Sequence, residues 1–356
     1  MAALSFDNAR LGHQVGQDHR QKHGVLIEEI EGLIRVYKDG HVERPPVVPT
    51  VDCAVSTDSN LACRDVIIDK FTNVWARFYV PRSQGTKLPF LVYFHGGGFC
   101  VGSAAWSCYH EFLAKLATKA GCVVMSVNYR LSPEHRLPAA YEDGVCALMW
   151  VRREILRGSS EQKWWWSHCN FSQMFLGGDS AGANIAHHVT TRVGQLAASS
   201  SSSSSSSDDP NILKPMTLKG TILIQPFFGG EARTYSEKYM VQPPKSALTV
   251  AASDVYWRLS LPLGANRDHQ WCNPSAKGAM DLEDLRVPPI MVCISELDIL
   301  KDRNLEFCNG MSRAGKRVEH VMYMGVGHAF QVLHHSQLSQ ARAHEMISHI
   351  KAFINQ

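Results

Sequence analysis

Phe175 to His188 reads FLGGDSAGANIAHH, an apolar run broken by glycines around Ser180 in the frame Gly178-Asp179-Ser180-Ala181-Gly182. A G-x-S-x-G frame between a strand and a helix suits a nucleophilic serine. The sharp turn holds the hydroxyl at its apex, and the glycines let strand and helix approach closely. An ordinary glycine-rich turn has the same spelling, so Ser180 alone leaves both readings open. A serine nucleophile needs a base and the base an orienting acid, here in the chain order Ser, Asp or Glu, His. Downstream, VEHVMYMGVGHAF closes an apolar run with Gly325, Gly327 and His328, and PPIMVCISELDILKDR closes another with Asp298. Glu296 is expected still within that strand and Asp302 inside the next helix, which favours Asp298 as the acid. His334 and His335 are expected on a solvated face, which leaves His328 as the base.

The electrophilic side needs hydrogen-bond donors that converge on one point. His95-Gly96-Gly97-Gly98-Phe99 follows the apolar run PFLVYF, and consecutive glycines let backbone N–H groups crowd together. Gly97 and Gly98 are the expected donors, with Ala181 as a third at a helix N-terminus, where partial positive charge favours an anion. A phosphate loop would be the rival reading, but no G-K-[ST] follows. His95 is expected to hold the turn, Asp179 to be a local structural acid, and His187 and His188 to be helix residues without metal-ligand spacing. No metal or organic cofactor is required by this chemistry.

These residues must be positioned by an alternating order of elements. DVIID and VWARFYV read as a hairpin, then PFLVYF as a strand and Trp106–Ala120 as a helix. CVVMSVNYR, QMFLGG, LKGTILIQPFF, PPIMVCISEL and VEHVMYM are further strands; residues 138–156, 181–196 and 338–353 are helices. Runs apolar throughout, alternating with helices, imply an α/β fold with a mainly parallel sheet covered on both faces and its site at the strands' carboxyl ends. Residues 1–45 are too short to bury a core and contain a hairpin around Asp39-Gly40. With an insertion at 230–270 they are expected to form a helical cap, in which Asp254 and Tyr256 are candidate pocket residues. Ser199–Ser207 with Asp208 and Asp209 is expected to be a flexible loop. Trp164, Trp165 and Trp166 are expected in packing or a surface patch.

Composition narrows the partners. The 356 residues carry 36 Lys and Arg against 33 Asp and Glu, a formal charge of +3, with no dense basic block, so neither nucleic acid nor an anionic membrane is an expected partner. The 10 cysteines are scattered singly without a C-x-x-C pair, which argues against a zinc or redox motif. No signal-like start or run of about 20 apolar residues is present, so the expected setting is cytoplasmic, with the nucleus also open and no membrane insertion. Asn170-Phe171-Ser172 is then an accidental sequon.

Taken in order, HGGGF, NYRLSPEHRLPAA, GDSAG, SELDILKDR and GVGHAF resemble the plant carboxylesterases of the hormone-sensitive-lipase-like class, from about residue 60 to the C-terminus. Within that class FHGGGFCVGSAAWSCYH is similar to the branch of probable carboxylesterase 17. The resemblance implies an α/β-hydrolase fold, a Ser180–His328–Asp298 triad, an HGGG oxyanion hole and short-chain esters as small-molecule substrates. Gibberellin receptors resemble the same class but replace the catalytic histidine, whereas GVGHAF keeps His328. Isoflavanone dehydratases share the scaffold and remove water, a difference lodged in pocket shape.

Overall fold

The computed structural model describes residues 24–53, 60–82, 85–200, 212–242 and 246–356. The chain divides into two units, Met1–Val47 and Val48–Gln356.

In the first unit, β1 (Leu26–Ile30), β2 (Ile34–Tyr37) and β3 (Val42–Glu43) form an antiparallel sheet in that order. The hairpin around Asp39-Gly40 is as expected. β1 is an addition, and this part of the expected helical cap is β instead. The alternating burial of Leu26–Ile30 and the β-branched Ile34 and Val36 favour strands. Residues 1–23 of the expected cap lie outside the described residues.

The second unit is an eight-stranded sheet in the order β11-β10-β9-β8-β6-β7-β5-β4. Its strands are β4 (Leu61–Asp69), β5 (Val74–Pro81), β6 (Leu88–Phe94), β7 (Val123–Asn128), β8 (Cys169–Asp179), β9 (Leu218–Ile224), β10 (Ile290–Ser295) and β11 (Val318–Tyr323). β4 and β5 run antiparallel to each other, as does β5 to β7; β6 to β11 are mutually parallel with their neighbours. Successive side chains of these strands point to opposite faces, so both faces need covering. On one face, α1 (Ser107–Ala120) and the final helix (Gln337–Ile354) pack on Leu91, Tyr93, Val124, Phe175 and Met291. On the other, the alternate residues Phe78 and Phe90 meet Trp165, whose ring lies 4.8 and 5.8 Å from theirs, with Trp150 stacked at 5.8 Å. Trp150 lies on α2 (Ala139–Arg157) and Trp165 on the short α3 (Lys163–Trp166), so the tryptophan run serves packing at Trp165.

Two expectations about loops need correction. α4 (Ala181–Ser200) extends into the serine run, so Ser199 and Ser200 are helical; residues 201–209 lie outside the described residues. Serine is a tolerable helix former when it merely continues an established helix. The 230–270 insertion holds two short helices, α5 (Tyr235–Tyr239) behind a Thr234/Glu237 capping box and α6 (Val250–Ser260) capped by Thr249. Beyond α6, Pro262, Gly264 and the asparagines at 266 and 273 break the chain into successive turns instead of further helix. α7 (Lys301–Arg313), α8 (Phe330–Leu333) and α9, the Gln337–Ile354 helix, complete the unit. Among the described residues no helix is long and apolar enough to cross a membrane.

Candidate active site

Neighbouring parallel strands deliver the chemically interesting residues at their carboxyl ends. Ser180 directly follows β8, the triglycine loop follows β6, Asp298 lies three residues past β10 and His328 five past β11. Ser180 takes a left-handed φ of 52°, as the sharp strand-to-helix turn demands. Its N–H donates to the Ile224 carbonyl at 2.8 Å, while its own carbonyl accepts the N–H groups of Asn184 and Phe227. Gly182 allows the turn: a Cβ there would lie 1.9 Å from the Phe94 carbonyl oxygen.

The three polar side chains form one chain of contacts. His328 Nε2 is 2.9 Å from Ser180 Oγ, and His328 Nδ1 is 2.7 Å from Asp298 Oδ2. A nitrogen beside a carboxylate carries the proton, so Nδ1–H donates to Asp298 and the Nε2 lone pair faces the serine hydroxyl. The other Asp298 oxygen accepts the Leu300 N–H at 3.0 Å, which fixes the carboxylate plane. All three side chains are buried, Asp298 almost wholly.

The triglycine loop is held from below. Asp179 Oδ1 accepts from the Tyr93 hydroxyl at 2.9 Å and the Gly96 N–H at 3.1 Å, and Oδ2 accepts the Tyr109 hydroxyl at 3.0 Å. The Gly96 N–H also reaches the Tyr109 oxygen at 2.8 Å. Burial pushes the Asp179 carboxyl up to about 6, against the opposing pull of the two tyrosine hydroxyls. His95 is buried, stacks on Tyr129 at 4.4 Å and donates Nδ1–H to the Gly96 carbonyl; burial holds its ring neutral, with its pKa lowered to about 4. Asp179 and His95 are therefore both structural, as expected from the sequence, and together they clamp the loop. Beyond Gly96, the N–H groups of Gly97, Gly98 and Ala181 have no intramolecular acceptor among the described residues. Gly98 has a φ of 58° and lies under the Tyr256 ring, 2.3 Å from where its Cβ would be, so Tyr256 borders this loop.

Glu296 and His334 are placed otherwise than expected, whereas Asp302, His187 and His188 lie inside helices as expected. Asp254 is not brought to the serine by any contact: its carboxylate is held by Arg233 at 2.5 Å and by Arg267. Glu296 sits one residue past β10, not within it, and accepts the Gly325 N–H at 2.8 Å, bracing the loop before His328. Asp302, in α7, accepts the Ser236 N–H at 2.6 Å. His334 is half-buried against the His328 backbone and not on a solvated face; that burial lowers its pKa. His187 and His188 face aromatic neighbours in the interior. The residues missed in the sequence are Tyr93 and Tyr109, apolar-looking positions whose hydroxyls reach Asp179, and Gln225, the first residue past β9.

A family model described as the alpha/beta hydrolase fold matches residues 91–332, a stretch that holds every one of these strand-end residues. The chain belongs to the alpha/beta hydrolase fold family. Among curated proteins this hydrolase is 48% identical to probable carboxylesterase 6 of Arabidopsis thaliana, over 94% of this chain and 93% of the relative. It is 34% identical to the 2-hydroxyisoflavanone dehydratase of Glycyrrhiza echinata, over 87% of this chain and 91% of that one. Among solved structures it is similar to an esterase of Pyrobaculum calidifontis, with a TM-score of 0.63, 28% identity, and 82% and 84% of the two chains covered.

Proposed function

We propose that this hydrolase is a serine carboxylesterase acting on short-chain carboxylic esters through an acyl-enzyme. The observation that carries the reading is the unbroken contact chain Ser180–His328–Asp298 at 2.9 and 2.7 Å, beside unpaired N–H groups. The 48% identity to a probable carboxylesterase supports the same reading at the level of class; similarity to the branch of carboxylesterase 17 stays an expectation.

In the proposed reaction, His328 Nε2 takes the hydroxyl proton as Ser180 Oγ attacks the ester carbonyl carbon. Asp298 keeps the proton on Nδ1 and stabilises the imidazolium that forms. The N–H groups of Gly97, Gly98 and Ala181 bind the oxyanion, each such donor contributing about 10²–10³ in rate. The C–O bond to the alcohol breaks, and the alcohol leaves with the proton from His328. Water then attacks the acyl-serine, gives its proton to His328, and the acid departs as Ser180 regains its hydrogen. No metal or organic cofactor enters these steps. The receptor reading, for which replacement of this histidine was the expected mark, is less favoured because His328 is in contact with the serine.

The test is hydrolysis of p-nitrophenyl acetate by the wild type beside Ser180→Ala and His328→Ala. Turnover by the wild type and a loss of at least about 10³-fold in kcat/KM in both variants is the expected result. Variants that keep wild-type rates would exclude the triad. A wild type inert on esters, whose Ser180 nonetheless reacts with a fluorophosphonate, would move the substrate class towards the dehydratase type.

A further inference from the structure

Strand β9 lies between β8, which delivers the serine, and β10, which delivers the aspartate. The first residue past its end is therefore placed among the loops that the proposed chemistry needs. That residue is Gln225, fully buried and held at a left-handed φ of 47°. Its backbone N–H donates to the Cys293 carbonyl of β10 at 2.8 Å, continuing the ladder one step past β9. The adjacent Ile224 carbonyl accepts the Ser180 N–H, and the Phe227 N–H two residues on donates to the Ser180 carbonyl.

The side chain completes the connection. Gln225 Oε1 accepts the Ala329 N–H at 2.7 Å, and Ala329, the residue after His328, is itself left-handed with a φ of 55°. Gln225 Nε2 donates to Ser295 Oγ at 2.7 Å, three residues before Asp298, and reaches Gln331 Oε1 in α8 at 3.4 Å. One planar amide thus ties the histidine loop to the aspartate strand, while its own backbone neighbours hold the serine turn. A buried amide in a left-handed backbone is an expensive way to fill space, because both the conformation and the desolvated polar atoms cost free energy. An apolar residue of similar volume would leave the buried Ala329 N–H and Ser295 hydroxyl without these partners, so the amide's bonds are the feature to be explained.

We infer that Gln225 is a positioning residue that sets the spacing of the Ser180, Asp298 and His328 loops. The inference deepens the esterase reading and rests on it for its kinetic arm alone. Glutamine is required because the position needs an acceptor for Ala329 N–H and a donor to Ser295 Oγ in one rigid plane. Leucine supplies neither. An ionised glutamate keeps the acceptor and loses the donor, and a protonated glutamate restores both.

Two variants and two readouts decide the matter. Turnover of p-nitrophenyl acetate is measured per Ser180 titrated with a fluorophosphonate, so that unfolded protein drops out of the rate. The low-field proton resonance of the short His328 Nδ1–H···Asp298 bond is recorded without substrate. Gln225→Leu is expected to lower kcat per titrated site about 30- to 100-fold with KM within about threefold, since small displacements of reacting groups cost rate more than binding. The resonance is expected to broaden or vanish. Gln225→Glu is expected to be impaired at pH 8 and to approach the wild-type rate, compared at the same pH, as pH falls and its buried carboxyl gains a proton. A Gln225→Leu protein with kcat per site within threefold of wild type and an intact resonance overturns the proposal, as the residue would then be packing only. If Gln225→Leu does not fold, Gln225→Glu decides: a ratio to wild type that is near one at all pH values overturns it. If the wild type hydrolyses no ester, the esterase reading fails separately, and the resonance still decides. Its loss in the variants supports the positioning role, and its persistence overturns it.

Discussion

At Asp179 the polypeptide places an acid between a nucleophile candidate and the interior, and the cost is legible in its titration. The ordinary value of 3.8 is raised to about 6 because burial penalises the charged form more than the bonds from Tyr93, Tyr109 and Gly96 favour it. The folded protein therefore holds this proton between pH 4 and 6 where the unfolded chain has released it. The associated stability is fully present below about 4 and lost as pH rises through about 6. Asp179→Asn removes this dependence, so its stability relative to wild type is expected to rise by about 2 kcal/mol between pH 4.5 and 7.5. Denaturant titrations of both proteins at pH 4.5 and 7.5 check this, and an unchanged difference would mean that the carboxyl titrates at its ordinary value. Ser180, one residue on, has its left-handed backbone held by bonds to Ile224, Asn184 and Phe227, so its strain is supported on both sides of the turn.

At the scale of elements, the site depends on how closely α4 approaches β6. Gly182 lies on the first turn of α4 against the end of β6, and a Cβ would overlap the Phe94 carbonyl at 1.9 Å. Backbone on both sides leaves nothing flexible to yield. Gly182→Ala is therefore expected to destabilise by more than about 3 kcal/mol and to lower soluble yield sharply, as read by thermal unfolding. Gly98→Ala differs: its obstruction is the Tyr256 ring, at 2.3 Å, and not backbone, so the loop and that ring must move apart. A fall of about 10²-fold in kcat per titrated site is the expected outcome, because one proposed oxyanion donor moves, together with a lowered thermal midpoint. A variant with normal kcat would remove Gly98 from that role.

The second unit as a whole is a sheet with two covered faces, and the Ser180–His328–Asp298 contacts sit at one end of that sheet. Trp165 lies near the opposite end, just before β8, fully buried with Phe78 and Phe90 and stacked on the buried Trp150. Trp165→Ala is expected to lower the unfolding free energy by about 3–5 kcal/mol while the folded fraction keeps its kcat and KM. Denaturant unfolding and rates per titrated site test the two halves separately. The amino-acid sequence by itself determined the alternation of apolar runs and helices, and with it the carboxyl-end rule that singled out Ser180, Asp298 and His328. These are local properties: a glycine frame, a run length, a residue just past a strand. Strand order decided the rest. The hydroxyls of Tyr93 and Tyr109 meet Asp179 only once the strands are neighbours, and the Arg233 and Arg267 partners of Asp254 come from outside its own helix. Gln225 obeyed the same carboxyl-end rule, yet its meaning required knowing that β9 lies between β8 and β10. Periodicity reports which face a side chain takes, whereas hydrogen bonds between loops far apart in the chain depend on which strands become neighbours.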